Sequence, residues 1–479
     1  MHYLLAICIF VVSIHSHSAS NDLPSLGDAT SGLISLEQEH ILGRAWLRNL
    51  RHQASTLHEP VLTEYTENLI YRLASKSQVN DRRFEIVLLD NKQLNAFAVP
   101  GGVIGINAGL FLHANTESQF AAVLAHELAH LSQRHFARQV EESRKQAPIA
   151  MATLLGSIML LATNNTEAGF AGLMTSQAAA AQWSLSYSRD WEREADRIGF
   201  HTLTGAQFNP NGMPEMFRQM YDAHKYSERP PEFLLTHPVT ENRISDAAGR
   251  VDSMNASETH DDLEQDVEYQ LMRVSLLIHY LKQSHNLSYY KDQLRNSKDP
   301  IQKTIAQYAL ALLLMEQKKY KQALVQSNAL MASDKHRISF QVLNSQILFD
   351  LGREQQAMTQ IGELLKQNPD NHPLTLTYAE LLFRQKHFHL AASTLRRHAQ
   401  IRNNDPGVWH KLSEAEGKAG NKTALFRARA EFLFLTGQSD KALKQLKSAL
   451  EISKGNYLVS ARIEQRAKEM KASDKEIKI

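Results

Sequence analysis

His126-Glu127-Leu128-Ala129-His130 places two imidazoles four residues apart, with a carboxylate beside the first. Neither Pro nor Gly interrupts Phe120 to Leu131, so the segment reads as a helix, and residues four apart on a helix share a face. Both rings can then address one divalent ion, with Glu127 placed as general base toward an attacking water. This is the H-E-x-x-H arrangement of metal-assisted peptide hydrolysis. Five residues recur by chance, so the motif needs support from elsewhere. Trp191-Glu192-Arg193-Glu194-Ala195-Asp196 supplies it. Glu192 offers a third ligand oxygen and leaves a fourth position open. Asp196, one helical turn on, can take a hydrogen bond from a ligand imidazole and fix its tautomer. Glu194 lies about 200° round the helix from Glu192 and is expected to face elsewhere. His126 and His130 could be ordinary half-buried imidazoles, and Glu192 and Asp196 a solvated face shared with Arg193 and Arg197. The co-occurrence of the two segments argues against both. His135 reads as a surface or supporting residue, not a ligand.

The single cysteine, Cys8, limits the metal chemistry to imidazoles and carboxylates. His126, His130 and Glu192 form a set suited to one Zn2+ per chain, with Glu127 and Asp196 as its catalytic companions. Cys8 lies in an apolar run, Leu4 to Ile14, followed by Ser18-Ala19-Ser20. That pattern reads as a secretory signal peptide over 1–20, cleaved near Ser20, and implies export. An uncleaved anchor is the alternative, against which the run is short for a membrane span. No lipobox-like context surrounds Cys8, so lipidation is not expected.

Elements must carry these groups to one place. Residues 33–79 have helical spacing of Leu36, Leu47, Leu50, Leu62, Leu69 and Leu73. Phe84 to Leu89 reads as a strand, and Ala96 to Val99, Pro100-Gly101-Gly102 and Val103 to Ile106 read as strand, turn, strand. Thr116 and Gln119 make a capping box for the helix that holds the motif. Ala147 to Ala162 is an uncharged run. At 1.5 Å per residue it reaches about 24 Å as a helix, short of a roughly 30 Å hydrocarbon core. Buried helix or active-site lid, membrane-surface contact and true span compete there. Gly169 to Ala181, also small and apolar, suits a packed helical hairpin.

Residues 252–264 are polar and unpatterned and read as a linker. Beyond it Ala323, Ala357 and Ala391 recur every 34 residues, with small residues Ala311, Ser345 and Ala379 twelve earlier and Ser413 next in that series. Tyr320 and Phe388 stand three before their anchors. Helix pairs cross closely only where side chains are small, so this is the tetratricopeptide (TPR) pattern. The fourth repeat slips, to Leu425 with Ala424 beside it, and Ala430 and Ala442 continue the array out of register. The domain plan is therefore 1–20 signal peptide, 21–258 metallopeptidase and 265–479 TPR array. A charge of +2, from 53 basic and 51 acidic residues, gives no reason to expect nucleic acid as a partner.

H-E-x-x-H followed by E-x-x-x-D resembles the gluzincin group that contains HtpX-type proteases and CAAX prenyl endopeptidases. Those relatives carry transmembrane helices. A signal peptide and a C-terminal TPR array instead make the whole chain resemble the periplasmic beta-barrel assembly-enhancing proteases of Gram-negative bacteria. The resemblance implies an α+β fold: a mainly helical gluzincin domain with a small β-sheet, then an all-α TPR solenoid. It implies a periplasmic zinc endopeptidase that degrades unfolded or misassembled outer-membrane proteins and meets the β-barrel assembly machinery through its TPR domain. Peripheral membrane contact through 147–162 is compatible with it. By the same resemblance, Asn95, Ala96, Phe97 and Ala98 belong to a substrate-pairing edge strand, with a plain supporting hairpin as the alternative. His237, before Pro238, becomes a gate in the fourth metal position. Arg243 either stabilises the oxyanion or pairs with a carboxylate. A second function class stays open: a TPR scaffold or chaperone whose protease is largely silent.

Overall fold

The computed structural model describes residues 35–142, 189–225, 232–254, 266–281 and 285–475. The leader at 1–20, the apolar runs at 147–162 and 169–181, and most of the linker lie outside the described residues.

The first helical stretch divides in two. Helix α1 (Leu36–Gln53) starts at Ser35, whose hydroxyl accepts from Gln38 N in a reciprocal capping box. Helix α2 (Pro60–Ala74) starts at a proline, which has no N–H to leave unpaired in a first turn. The extended segment between them pairs with the outer edge of strand β1 (Glu85–Leu89): Leu57 N donates to Leu88 O at 2.9 Å, and Asp90 N to Ser55 O at 2.9 Å.

Strands β2 (Ala96–Val99) and β3 (Val103–Asn107) complete a sheet of order β1-β3-β2, parallel between β1 and β3 and antiparallel between β2 and β3. The order leaves β2 at an edge. Its turn to β3 needs the left-handed backbone at Gly101 (φ 78°) and Gly102 (φ 74°). Gly105, opposite Phe97, must also be glycine, because a Cβ there would stand 2.1 Å from Phe97 Cζ.

Helices α3 (Ala108–His113), α4 (Glu117–Ser132) and α5 (His135–Glu142) follow. Thr116 caps α4 by accepting from Gln119 N, but the return bond runs from Asn115 N to Gln119 Oε1, so the predicted capping box is shifted by one residue. Helix α4 is buried from Glu117 to His130. It lies among α2, β2, and the helices α6 (Arg189–Gly205) and α7 (Gly212–Lys225). This surrounds the motif helix with protein and explains its apolar character all round. Short α8 (Glu232–Thr236) and α9 (Glu241–Asp252) close this half.

The C-terminal half is helical throughout its described residues. Helices α10 (Asp266–Leu281) and α11 (His285–Asn296) lead into hairpins α12 (Pro300–Glu316) with α13 (Tyr320–Ser333), α14 (Ile338–Asp350) with α15 (Glu354–Gln367), and α16 (His372–Arg384) with α17 (Phe388–Ile401). Then come α18 (Pro406–Lys418), α19 (Lys422–Leu435), α20 (Ser439–Ile452) and α21 (Tyr457–Lys475). Ala311, Ala323, Ser345, Ala357, Ala379 and Ala391 are all buried, as close helix crossing requires. Ala430 and Ala442 are buried too, on adjacent α19 and α20.

The array folds back onto the first half. Arg402 meets Glu67 at 2.7 Å, Asn371 Nδ2 donates to Glu64 at 2.9 Å, and the Arg48 guanidinium lies 4.7 Å from the Phe434 ring centre. The expected class holds: a mainly helical α+β peptidase region with a small sheet, followed by a helical C-terminal region. Among the described residues, no helix is long and apolar enough to cross a membrane.

Candidate metal centre

Helices α4 and α6 cross at Gly199, where a Cβ would lie 3.1 Å from His126 Cα. That close approach brings the two motif segments together. His126 Nε2 stands 3.0 Å from His130 Nε2 and 3.5 Å from Glu192 Oε2, and His130 Nε2 stands 3.4 Å from Glu192 Oε1. His237 joins them from the loop after α8. Its Nδ1 is 3.4 Å from His126 Nε2 and 2.9 Å from Glu192 Oε1. All four residues are buried. Four ligands about 2.0–2.2 Å from a tetrahedral zinc ion stand roughly 3.3–3.6 Å apart, so the observed spacing of 2.9–3.5 Å suits such an ion with small adjustments.

Charge gives an independent test of fit. Glu127, Glu192 and Asp196 are buried carboxylates, and Arg243 is the buried guanidinium that faces them. One guanidinium against three carboxylates leaves a deficit of two positive charges, which a divalent cation supplies. His126 registers the same demand. Burial opposes a charge on His126, yet Asp196 and Glu192 pull it up to about 9. Burial likewise opposes the Glu192 carboxylate, but His237 and Arg243 outweigh it and hold the group well below the usual carboxylate range.

Glu127 sits beside this set. Burial raises its pKa against the pull of His237 and His126. Ala98 N donates to Glu127 Oε2 at 3.0 Å, and His237 Nε2 is 3.5 Å from Glu127 Oε1. Asp196 Oδ1 lies 3.0 Å from His126 Nδ1, on the side of the ring away from the Nε2 that faces His130 and Glu192. Arg243 bonds Asp196 with two nitrogens, each at 2.7 Å, and reaches Glu192 Oε2 at 2.8 Å and Pro238 O at 2.8 Å. It therefore ties α9 to both carboxylates of α6 and to the loop that carries His237.

On β2, Asn95 O accepts from Asn107 N and sets the phase of the ladder. Phe97 and Val99 consequently direct their backbone groups to β3, while Ala96 and Ala98 direct theirs outward. The Phe97 side chain is buried, edge-on to Trp46 at 5.7 Å.

Several contacts were not legible in the sequence. The Phe233 ring stacks on His237 at 4.8 Å, and His237 N bonds Phe233 O at 2.8 Å. The Ala98 N–H reaches Glu127. Glu194 does turn away from the cluster of His126, His130 and Glu192, but it meets His135 at 3.1 Å, and His135 is fully buried against His130. Burial pushes His135 down to about 4, despite the opposing pull of Glu194.

Comparison with known proteins agrees with this geometry. The model of peptidase family M48 matches residues 60–251. The beta-barrel assembly-enhancing protease of Escherichia coli (strain K12) is 32% identical over 461 residues, covering 95% of this chain and 92% of that protein. Its counterpart from Yersinia pestis is 32% identical over 455 residues, with 95% and 92% covered. The chain belongs to the beta-barrel assembly-enhancing protease family, within peptidase family M48. A more distant relative, the mitochondrial metalloendopeptidase OMA1 of Schizosaccharomyces pombe, is 29% identical over 182 residues, covering 38% of this chain and 51% of its own length. The shared part is thus confined to a fraction of the chain, whereas the assembly-enhancing proteases match it nearly end to end. Members of M48 are metal-dependent peptidases, and this chain is a metallopeptidase.

Proposed function

We propose that this chain is a zinc endopeptidase of the periplasm that removes misassembled outer-membrane β-barrel proteins. The observation that carries the reading is the convergence of His126, His130 and Glu192 on one buried point, with Glu127 alongside. These three residues would hold the zinc ion. When bound, the ion supplies Lewis-acid activation of water and of the scissile carbonyl. Glu127 takes the proton from the attacking water at a carboxylate oxygen and returns it to the leaving amine. Its raised pKa suits a group that must both accept and release a proton. Asp196 fixes the His126 tautomer, and Arg243 holds Asp196 and Glu192 in place instead of serving the oxyanion.

The outward backbone groups of Ala96 and the Ala98 carbonyl can pair with an extended substrate, the Ala98 N–H being bonded to Glu127, with Phe97 anchoring the strand by its buried ring and Asn95 by its bond to β3. Pairing through backbone suits broad sequence tolerance. His237 occupies the fourth corner of the ligand set and stands near Glu127, so it holds the resting site closed. The clients come from the relatives' name, which also supports envelope localisation. The hairpins with a 34-residue recurrence are read as a TPR array that docks the barrel-assembly machinery, over 265–479, after a peptidase domain at 21–258.

Metal analysis of the purified wild type beside Glu192→Gln tests the site: one zinc per chain is expected in the first and a large loss in the second. Glu127→Gln should retain zinc and lose cleavage of an unfolded substrate. Equal zinc in Glu192→Gln, or full cleavage by Glu127→Gln, refutes the assignment. His237 in the fourth corner also favours a mainly silent protease beside a scaffolding role. If Glu127→Gln restores barrel assembly in cells as well as the wild type does, scaffolding dominates.

A further inference from the structure

The geometry points to His135 and Glu194 as positioning residues that hold the His130 ring in the tautomer and orientation metal binding needs. The inference rests on the metallopeptidase reading above and concerns residues outside the ligand set. His130 turns its Nε2 toward His126 and Glu192, at 3.0 Å and 3.4 Å. An imidazole that gives the Nε2 lone pair to a metal carries its proton on Nδ1, and that N–H needs an acceptor. His135 Nδ1 stands 2.8 Å from His130 Nδ1. To accept, His135 must hold its own proton on Nε2, and that nitrogen lies 3.1 Å from Glu194 Oε2. An ionised carboxylate can only accept. The direction of both bonds is therefore determined: His130 Nδ1–H donates to His135 Nδ1, and His135 Nε2–H donates to Glu194.

The surroundings hold this chain in place. Arg138 Nη1 donates to the same Glu194 oxygen at 2.8 Å, which keeps the carboxylate charged. The His135 ring stacks on Trp191 at 5.6 Å with an interplanar angle of 10°, and Trp191 is the neighbour of Glu192. His135 itself is delivered by a sharp turn. Arg134 adopts φ 50°, a left-handed conformation uncommon for a residue with a side chain. The buried pair of Arg134 with Glu39 on α1, at 2.7 Å, fastens that turn. His126 receives the same support directly, from Asp196 at 3.0 Å. The two imidazoles of the motif helix are thus each backed by a carboxylate of α6, His126 in a single step and His130 through a second imidazole.

The test uses the full chain with His135→Phe, His135→Asn and Glu194→Gln. Zn2+ affinity is read by chelator competition, the visible spectrum after Co2+ loading reports ligand geometry, and melting in chelator reports the fold. His135→Phe keeps an aromatic ring on Trp191 but offers no acceptor. It should melt like the wild type in chelator and bind Zn2+ roughly 10-fold to 100-fold more weakly, with an altered Co2+ spectrum. His135→Asn, whose side-chain oxygen can accept, should recover much of the loss. Glu194→Gln, on a partly exposed side chain, should fall between them, and it carries the test alone if His135→Phe does not fold. Wild-type Zn2+ affinity in both His135→Phe and Glu194→Gln overturns the inference while leaving the metallopeptidase reading intact. A wild type that binds no Zn2+ overturns both.

Discussion

Gly199→Ala tests whether one helix crossing sets the metal centre. The added Cβ would meet His126 Cα and N at 3.1 Å and Ala125 C at 3.2 Å. These are backbone atoms of a buried helix, so no side-chain rotation relieves the contact. Restoring ordinary van der Waals distance moves α6 from α4 by about 0.3–0.5 Å. Glu192 rides on α6 and both histidines on α4, so the spacings of 3.5 Å and 3.4 Å between them lengthen. Metal–ligand distances tolerate only about 0.2 Å. Zn2+ affinity should therefore fall by roughly 10-fold or more, on the scale seen when a ligand's supporting contacts are lost. Stability should change less. Alanine in place of glycine gains up to about 1 kcal/mol in a helix, against about 1–3 kcal/mol for overpacking, for a net loss of about 0–3 kcal/mol. Chelator competition and urea unfolding in chelator separate the two effects. Unchanged Zn2+ affinity, with or without lost stability, would show that the crossing does not set the ligand spacing.

Three further outcomes are expected. His237→Ala frees the fourth corner and should raise basal cleavage of an unfolded substrate; equal or lower activity at full zinc loading refutes the gate. Arg243→Met leaves Asp196 and Glu192 buried without their cation, so unfolding in chelator should show a loss of about 3–5 kcal/mol. Zn2+ should restore part of it, and a loss that is small or insensitive to Zn2+ contradicts the charge argument. At the contact between the two halves, burial and Arg402 hold His372 at about 3 and His398 at about 4. As pH falls through the unfolded value near 6.5, the unfolded chain binds two protons that the folded chain refuses, costing about 2.7 kcal/mol per pH unit. Glu67, pushed up to about 7 by burial against the pull of Arg402, binds its proton in the folded state first and returns about 1.4 kcal/mol per unit down to about 4.5. Net stability should drop between pH 6 and pH 5, and a His372→Gln/His398→Gln chain should lose that slope in denaturant titrations; an identical slope in both rules these histidines out.

The residues that converge at the candidate metal centre were readable because their spacings are local. His126 and His130 share a face by helical geometry alone, as do Glu192 and Asp196, and each pair needs only four residues of regular backbone. The recurrence of small residues at 311, 323, 345, 357, 379 and 391 was readable for the same reason: each marks a crossing within a short hairpin. Other features were blurred at element ends. The stretch 33–79 carried one helical pattern, but Pro60 starts a second helix after a segment that pairs with β1. Helical geometry turns Glu194 away from Glu192, yet nothing local shows that His135 waits on that side.

By itself, then, the order of residues determined the motif helix, its partner helix, the edge hairpin and the repeat spacing, since each follows from short-range periodicity and backbone preference. Tertiary structure decided which atoms meet. The crossing at Gly199 sets how far Glu192 stands from the imidazoles, the left-handed turn at Arg134 returns His135 to His130, and the loop anchored at Phe233 puts His237 beside His126 and Glu192. Each depends on contacts between segments distant in the chain. No window of sequence encodes such a distance, because it is fixed by the packing of whole helices against one another.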